Sequence, residues 1–263
     1  MGLIEQRSRK VTIMPRFESK KAEFLGAKVD LLTMDETLER VVYAMESKTN
    51  CQHCVVNVTK LVNMRRIVSL KEDVDRSDIV NIDGMGVLWG ARLFGISVPE
   101  RVTGIDLMER ILVICESKQF RPYFLGAKEE ILNRMLLTLR VRHPDLKVAG
   151  HHHGYFLADD EPTIVSKIAN SHADCLFVAM PTPHKERFIA TYRDRLCVPF
   201  LMGVGGAFDV VSGHVPRAPK WMQNAGLEWF YRVMQEPRRM WRRYLVTNVA
   251  YVGILAVEFF RRR

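Results

Sequence analysis

Short apolar runs alternate with helical stretches along most of this chain, and that alternation restricts the fold more than any other feature. Strand candidates fall at 54–58, 79–82, 123–125, 147–150, 175–179 and 199–204. Helical stretches at 59–70, 104–117, 128–143 and 161–169 lie between them. A strand-helix repeat of this kind predicts an α/β fold, a Rossmann-like, mostly parallel sheet flanked by helices. Strand signals stop after about residue 211. The expected organisation is an N-terminal lead-in at 1–22, an α/β domain at 23–216 and a helical appendage at 217–263. A hydrophobic content of 48% across 263 residues is enough to fill such a core.

The appendage is set apart by charge. Residues 217–263 carry ten Lys and Arg against three acids, which is +7 of the chain's net +9. Trp221, Trp229, Phe230, Tyr231, Trp241 and Tyr244 are interleaved with these cations. A basic and aromatic tail suits an anionic, greasy partner such as a membrane face or a lipid-linked phosphate. The other readings are a solvated helix or a nucleic-acid contact, but no nucleic-acid motif accompanies the charge. No run of 18 uncharged apolar residues occurs. The stretch 244–260 is broken by Glu258 and bracketed by arginines, so it is expected to lie in the membrane interface rather than cross it. Exposed apolar surface near the tail would also suit a homo-oligomer. Five unevenly spread cysteines fit reduced thiols in a cytosolic protein. Cys51 and Cys54 have the spacing of a redox pair or half a zinc site, but Cys54 is read as opening an apolar strand.

In an open parallel sheet, ligands bind beyond the strands' C-terminal ends. The residues there are Asn57, Asp83-Gly-Met-Gly86, Gly126, Gly150-His-His-His-Gly154, Pro181–His184 and Gly203-Val-Gly-Gly206. Asp83 can project from a strand tip and act as a general base, or it can cap a turn. Thr103 reads as a helix N-cap with Asp106 on the first turn. Arg101, just upstream, has the planar fork that binds a diphosphate. Three adjacent histidines at 151–153 cannot all face one metal. Gly154 and Tyr155 after them suggest a nucleotide-binding loop. The turn at Gly205 matches neither GxGxxG nor a P-loop, although its amides could cradle a diphosphate. In the tail, Arg238 and Arg242 share a helix face, as do Arg239 and Arg243, and either pair could clamp a phosphate.

Several of these segments resemble one family. Asp83-Gly-Met-Gly-Val-Leu-Trp-Gly-Ala-Arg-Leu-Phe-Gly95, Pro99-Glu-Arg-Val-Thr-Gly-Ile-Asp-Leu107, 150–156, 203–209, 217–232, 235–239 and 242–244 are similar to the WecG/TagA/CpsF glycosyltransferases, in the right order and over roughly residues 27–248. The resemblance implies an inverting enzyme on the cytoplasmic face of the membrane. It would move a sugar from a UDP-sugar to a polyprenyl-diphosphate-linked sugar without a cofactor or metal. It makes Asp83 the general base and sets appendage arginines on the diphosphate, here Arg217, Arg232, Arg238, Arg239 and Arg242. Asn57 would orient a sugar and Arg101 would offset charge on the diphosphate. Thr103, Asp106, Gly126, Gly154, Tyr155, His184, Lys185, Glu186 and Gly205 would line the substrate site.

Two departures bear on the substrate. The family's Thr-x-Asn is Val55-Val-Asn57 here, and its Pro-Lys-Gln-Glu is Pro183-His-Lys-Glu186. These changes resemble the xanthan-type β-1,4-glucosyltransferase branch. The expectation is glucose transfer from UDP-glucose to glucosyl-diphospho-undecaprenol in exopolysaccharide synthesis. The alternative is transfer of N-acetylmannosamine, or its uronic acid, to a lipid-linked N-acetylglucosamine. With the uronic acid, Lys185 would face the donor's carboxylate.

Overall fold

The computed structural model describes residues 20–261. A two-stranded antiparallel hairpin, β1 (Lys21–Phe24) and β2 (Ala27–Asp30), opens the described chain. The expected lead-in therefore ends by residue 20, and residues 1–19 lie outside the described residues. Thr33 then starts α1 (Met34–Ser47) through a reciprocal capping box with Glu36. The chain continues through β3 (Cys51–Val56), α2 (Val58–Met64), α3 (Val68–Asp75), β4 (Ile79–Ile82), α4 (Met85–Leu93), α5 (Gly104–Lys118), β5 (Pro122–Gly126) and α6 (Glu129–Arg142). It closes the sheet with β6 (Gly150–His152), α7 (Glu161–Asn170), β7 (Cys175–Ala179), α8 (His184–Tyr192) and β8 (Phe200–Gly203). The rest is helical: α9 (Ala207–Val211), α10 (Lys220–Asn224), α11 (Glu228–Gln235) and α12 (Pro237–Arg261).

The main sheet has six strands, all parallel, in the order β4-β3-β8-β7-β5-β6. Its last strand in sequence therefore sits between strands from the two halves of the chain. Period-two alternation sends Cys51, Phe177, Phe200 and Met202 to one face, packed with α1, α5, α6 and α9. Cys54, Val56, Val80 and Ile82 face the other side at the β4 end, with α2, α3, α4 and the hairpin. Leu125, Leu176, Val178 and Leu201 continue that side under α7 and α8. Edge strand β4 is covered by the hairpin, where the Asp30 carboxylate accepts from Val80 N–H at 2.8 Å.

The sheet confirms the predicted class and corrects details. Strand β3 starts at Cys51, so Cys54 sits mid-strand, and the two cysteines of the CxxC spacing face opposite sides of the sheet. The strand expected at 147–150 lies at Gly150–His152, so two of the three histidines are in a strand. The helix expected at 59–70 is two helices, broken around Arg65–Ile67.

Helix α12 runs along the body, against α2 and α4. Tyr251 is buried and its hydroxyl donates to Gly86 O at 3.0 Å. Farther along, Phe259 meets Phe94 edge-on. The contact requires a glycine in α4. A Cβ at Gly90 would stand 2.2 Å from Tyr251 Oη, 3.0 Å from Phe24 Cζ and 3.2 Å from Leu255 Cδ2. Gly90→Ala is expected to cost about 1–3 kcal/mol through overpacking. A lower denaturant midpoint at unchanged slope would show it, whereas an unchanged midpoint would mean that α12 is not seated there in solution.

Candidate functional site

Because every strand of the sheet is parallel, Asn57, Asp83, Gly126, His153, Pro181 and Val204 all emerge on one rim. Asp83 follows edge strand β4, and its N–H bonds Val56 O at 2.9 Å. It does not cap its own helix, since Gly84, with φ 105°, occupies the N-cap of α4. Instead the chain leaves through α4 and returns beside it. Val102 N–H bonds Ile82 O at 3.1 Å, and Gly104 N–H points at Asp83 Oδ2 from 3.5 Å. Thr103 caps α5 and Asp106 lies on its first turn, as the sequence predicts.

The appendage closes over this loop. Arg217 grips Asp106 with both terminal nitrogens, at 2.6 and 2.9 Å. Glu228 places one carboxylate oxygen 3.5 Å from Arg101 Nη1 and the other 3.7 Å from Arg217 Nε. Arg232 reaches over the Gly205–Gly206 turn, 3.9 Å from where a Gly206 Cβ would be. A narrow crevice between Ile105, Val215, Arg217, Glu228, Tyr231 and Arg232 opens beside the cluster. A wider hollow of about 620 Å³ near Glu116 and Lys147 lies at the far end of α5 and holds none of the candidate residues. Burial and the nearby Glu228 carboxylate push Asp83 up to about 6, against the pull of Arg101, the Gly104 N–H and Arg232. A carboxyl group that gives up its proton near pH 6 is poised to accept one near neutrality.

A second charged group lies between α2 and α8. Glu186 Oε1 accepts from Lys60 and Lys185, each at 2.8 Å, and from Thr182 at 3.1 Å. Lys60 also donates to Cys54 Sγ at 3.1 Å. All three ionisable side chains are buried. Burial alone would raise Glu186, but the two ammonium groups hold it near 2. Lys185 is lowered by burial and by Lys60. The Lys185 ammonium is thus engaged by Glu186 and Thr182, while neighbouring His184 is exposed.

Other expected residues are more dispersed. Asn57 caps α2, with its side-chain oxygen accepting from Lys60 N–H at 2.9 Å. At the β5–β6 end, Gly126 has φ 129° and lies so close to β7 that a Cβ would stand 2.4 Å from Ala179 O. Gly154 N–H bonds Ala127 O at 2.8 Å, and Tyr155 beyond it is exposed. These glycines let the backbone approach closely beside an open aromatic ring. Arg238 and Arg242 are exposed on α12, with Arg242 over the Trp241 ring. The Arg239 side chain lies outside the described residues. Sequence reasoning missed Lys60, Glu228 and Tyr251. Lys60, a lysine on an otherwise apolar helix face, was the one with a readable signal.

Comparison with known proteins agrees with the fold and narrows the chemistry. The model of the Glycosyl transferase WecG/TagA/CpsF family matches residues 22–263. A protein of Bacillus subtilis (strain 168) is 36% identical over 169 residues, covering 64% of this chain and 65% of that protein. A relative from Bacillus spizizenii is 36% identical over 182 residues, covering 69% and 70%. One from Staphylococcus aureus (strain MW2) is 29% identical over 234 residues, covering 88% and 91%. All three are named N-acetylglucosaminyldiphosphoundecaprenol N-acetyl-beta-D-mannosaminyltransferase. Those names overturn the expectation of glucose transfer to a glucosyl lipid, and with it the xanthan-type assignment. Two substitutions at the strand ends were too little to identify a donor sugar.

Proposed function

This chain belongs to the WecG/TagA/CpsF glycosyltransferase family, and on that premise we propose that it transfers N-acetylmannosamine from its UDP derivative to N-acetylglucosaminyl-diphospho-undecaprenol. The observation that carries the reading is Asp83, raised to about 6 on the sheet rim and flanked by arginines from the body and the appendage. In this reading Asp83 takes the proton of the acceptor hydroxyl. The freed oxygen attacks the donor's anomeric carbon as the bond to UDP breaks on the opposite face, inverting that centre. Negative charge moves to the departing diphosphate, where Arg101, Arg217 and Arg232 offset it with the amides around Gly205. Gly126, Gly154 and Tyr155 receive the nucleotide, and Thr103 and Asp106 hold Arg217 in place. Asn57, already fixed as a cap, borders the sugar.

The engagement of Lys185 by Glu186 and Thr182 favours a neutral amino sugar over a uronic acid. The appendage is the membrane-facing unit in this proposal. Trp241, Leu245, Val249, Val252 and Phe260 are exposed along one stripe of α12, with Arg238 and Arg242 nearby. By length and composition Met240–Arg261 is enough to cross a bilayer. Its contacts with the body at both Tyr251 and Phe259 support lying along the inner membrane surface instead.

The test supplies detergent-solubilised N-acetylglucosaminyl-diphospho-polyprenol with radiolabelled UDP-N-acetylmannosamine, UDP-N-acetylglucosamine or UDP-N-acetylmannosaminuronic acid. Label is expected in the lipid fraction from the first donor. Label from either of the others alone would overturn the donor assignment and leave the family standing.

A further inference from the structure

Glu228 is out of place in a basic appendage at an anion site. Its carboxylate stands between Arg101, from the loop before α5, and Arg217, from the start of the appendage. Both contacts are long: 3.5 and 3.7 Å exceed the 2.7–3.2 Å of a direct hydrogen bond. By contrast Arg217 holds Asp106 at 2.6 and 2.9 Å. The Arg217 guanidinium is thus fixed by Asp106, while its Nε is buried with no hydrogen-bond partner. As placed, the Glu228 carboxylate makes a close hydrogen bond to neither guanidinium group. A phosphate or diphosphate, with more oxygens spread over a wider span, fits the gap better.

We propose that Glu228 is an internal stand-in for the substrate's diphosphate, occupying Arg101 and Arg217 until the ligand's phosphate displaces it. This rests on the reading that Arg101 meets a diphosphate. The carboxylate gives the half-buried Arg101 an acidic neighbour in the empty enzyme and adds a second acid beside Arg217, which Asp106 already holds. It also competes with small anions, so only a ligand bound elsewhere as well, through its nucleotide or its lipid, displaces it. Glu228 comes from α11 and Arg101 from the body, so displacement loosens one tie between appendage and body as the phosphate makes another. Asp83 faces Arg101, Glu228, Arg232 and the Gly104 N–H, so exchanging Glu228 for a phosphate keeps a negative group beside the base.

The experiment is calorimetric titration of the full chain in detergent with UDP, with farnesyl diphosphate and with uridine, which carries no phosphate. The variants are Glu228→Gln, Glu228→Asp and Arg101→Gln. Glu228→Gln is expected to bind UDP or farnesyl diphosphate about three- to tenfold tighter than wild type, with uridine unchanged. Whichever diphosphate tightens identifies the nucleotide or the lipid as the displacing group. Glu228→Asp, whose shorter side chain withdraws the carboxylate, should fall between the two and serves if Glu228→Gln does not fold. If Glu228→Gln leaves both diphosphates unchanged or weaker while Arg101→Gln weakens one, the stand-in role is wrong and the arginine assignment survives. A change in uridine affinity of equal size would mark a merely structural tie. If Arg101→Gln changes neither diphosphate, the reading beneath the proposal fails as well.

Discussion

Asp83→Asn is expected to yield a folded protein with transfer reduced roughly 10²–10⁴-fold, the contribution of a positioned general base. The substitution keeps the shape and the acceptor oxygen that faces Gly104 N–H. It removes only the charge that takes the proton. The pH dependence follows from the same residue. With Asp83 as the proposed base, transfer needs its ionised carboxylate, so the wild-type rate should fall as pH drops through about 6. Stability runs the other way. The fold raises this group above its usual 3.8, so it favours the protonated form. That contribution is complete below about pH 4 and is lost as pH rises through 6, at a cost of at most about 3 kcal/mol at neutrality. Asn mimics the protonated form. The variant should therefore unfold at the same or a higher temperature than wild type at pH 7.5, with no gain at pH 4. Wild-type-like turnover by Asp83→Asn would remove it from the role of base.

Ending the chain at residue 216 is expected to abolish both membrane binding and nearly all transfer. The truncation removes Arg217, Glu228 and Arg232 from the neighbourhood of Asp83, and loss of oriented charge and positioning of this kind costs at least about 10²-fold. It also strips Tyr251 from Gly86 and takes Phe259 away from Phe94, uncovering the α4 face that α12 packs on. Co-flotation with anionic liposomes and label transfer to lipid measure the two losses separately. A truncated chain that still floats refutes docking through the appendage. One that still transfers at the wild-type rate refutes its share in the active site.

The sheet was legible where strands are short, β-branched and stopped by a turn residue. Residues 79–82 and 175–179 are strands at the expected boundaries. β6 was misplaced because its own residues are Gly-His-His, a poor strand signal that pairing with Tyr123–Leu125 overrides. The opening hairpin was missed because Lys21 to Asp30 mixes charge with only a few apolar residues, and packing against β4 makes it a strand pair. At the rim, Asp83, Arg101, Thr103 and Asp106 could be found because they follow strand ends or open a helix. Glu228 could not. It lies 127 positions from Arg101, and nothing local distinguishes it from a solvated acid in a basic helix. Lys185 was legible as a residue near the rim but not in its bonding, which depends on Lys60 from a different helix.

The position of β8 bears on how the chain is made. Strands β3 and β4 form one half-sheet, and β7, β5 and β6 form the other. Residues 200–203 complete the sheet by pairing with Cys51–His53 on one side and with Cys175–Val178 on the other. Until that segment has left the ribosome, both halves wait with an unpaired, apolar central edge. Newly synthesised chains should therefore depend on chaperones late in translation, and refolding should be slow for a protein of this length, because its decisive strand pairing is also its most distant.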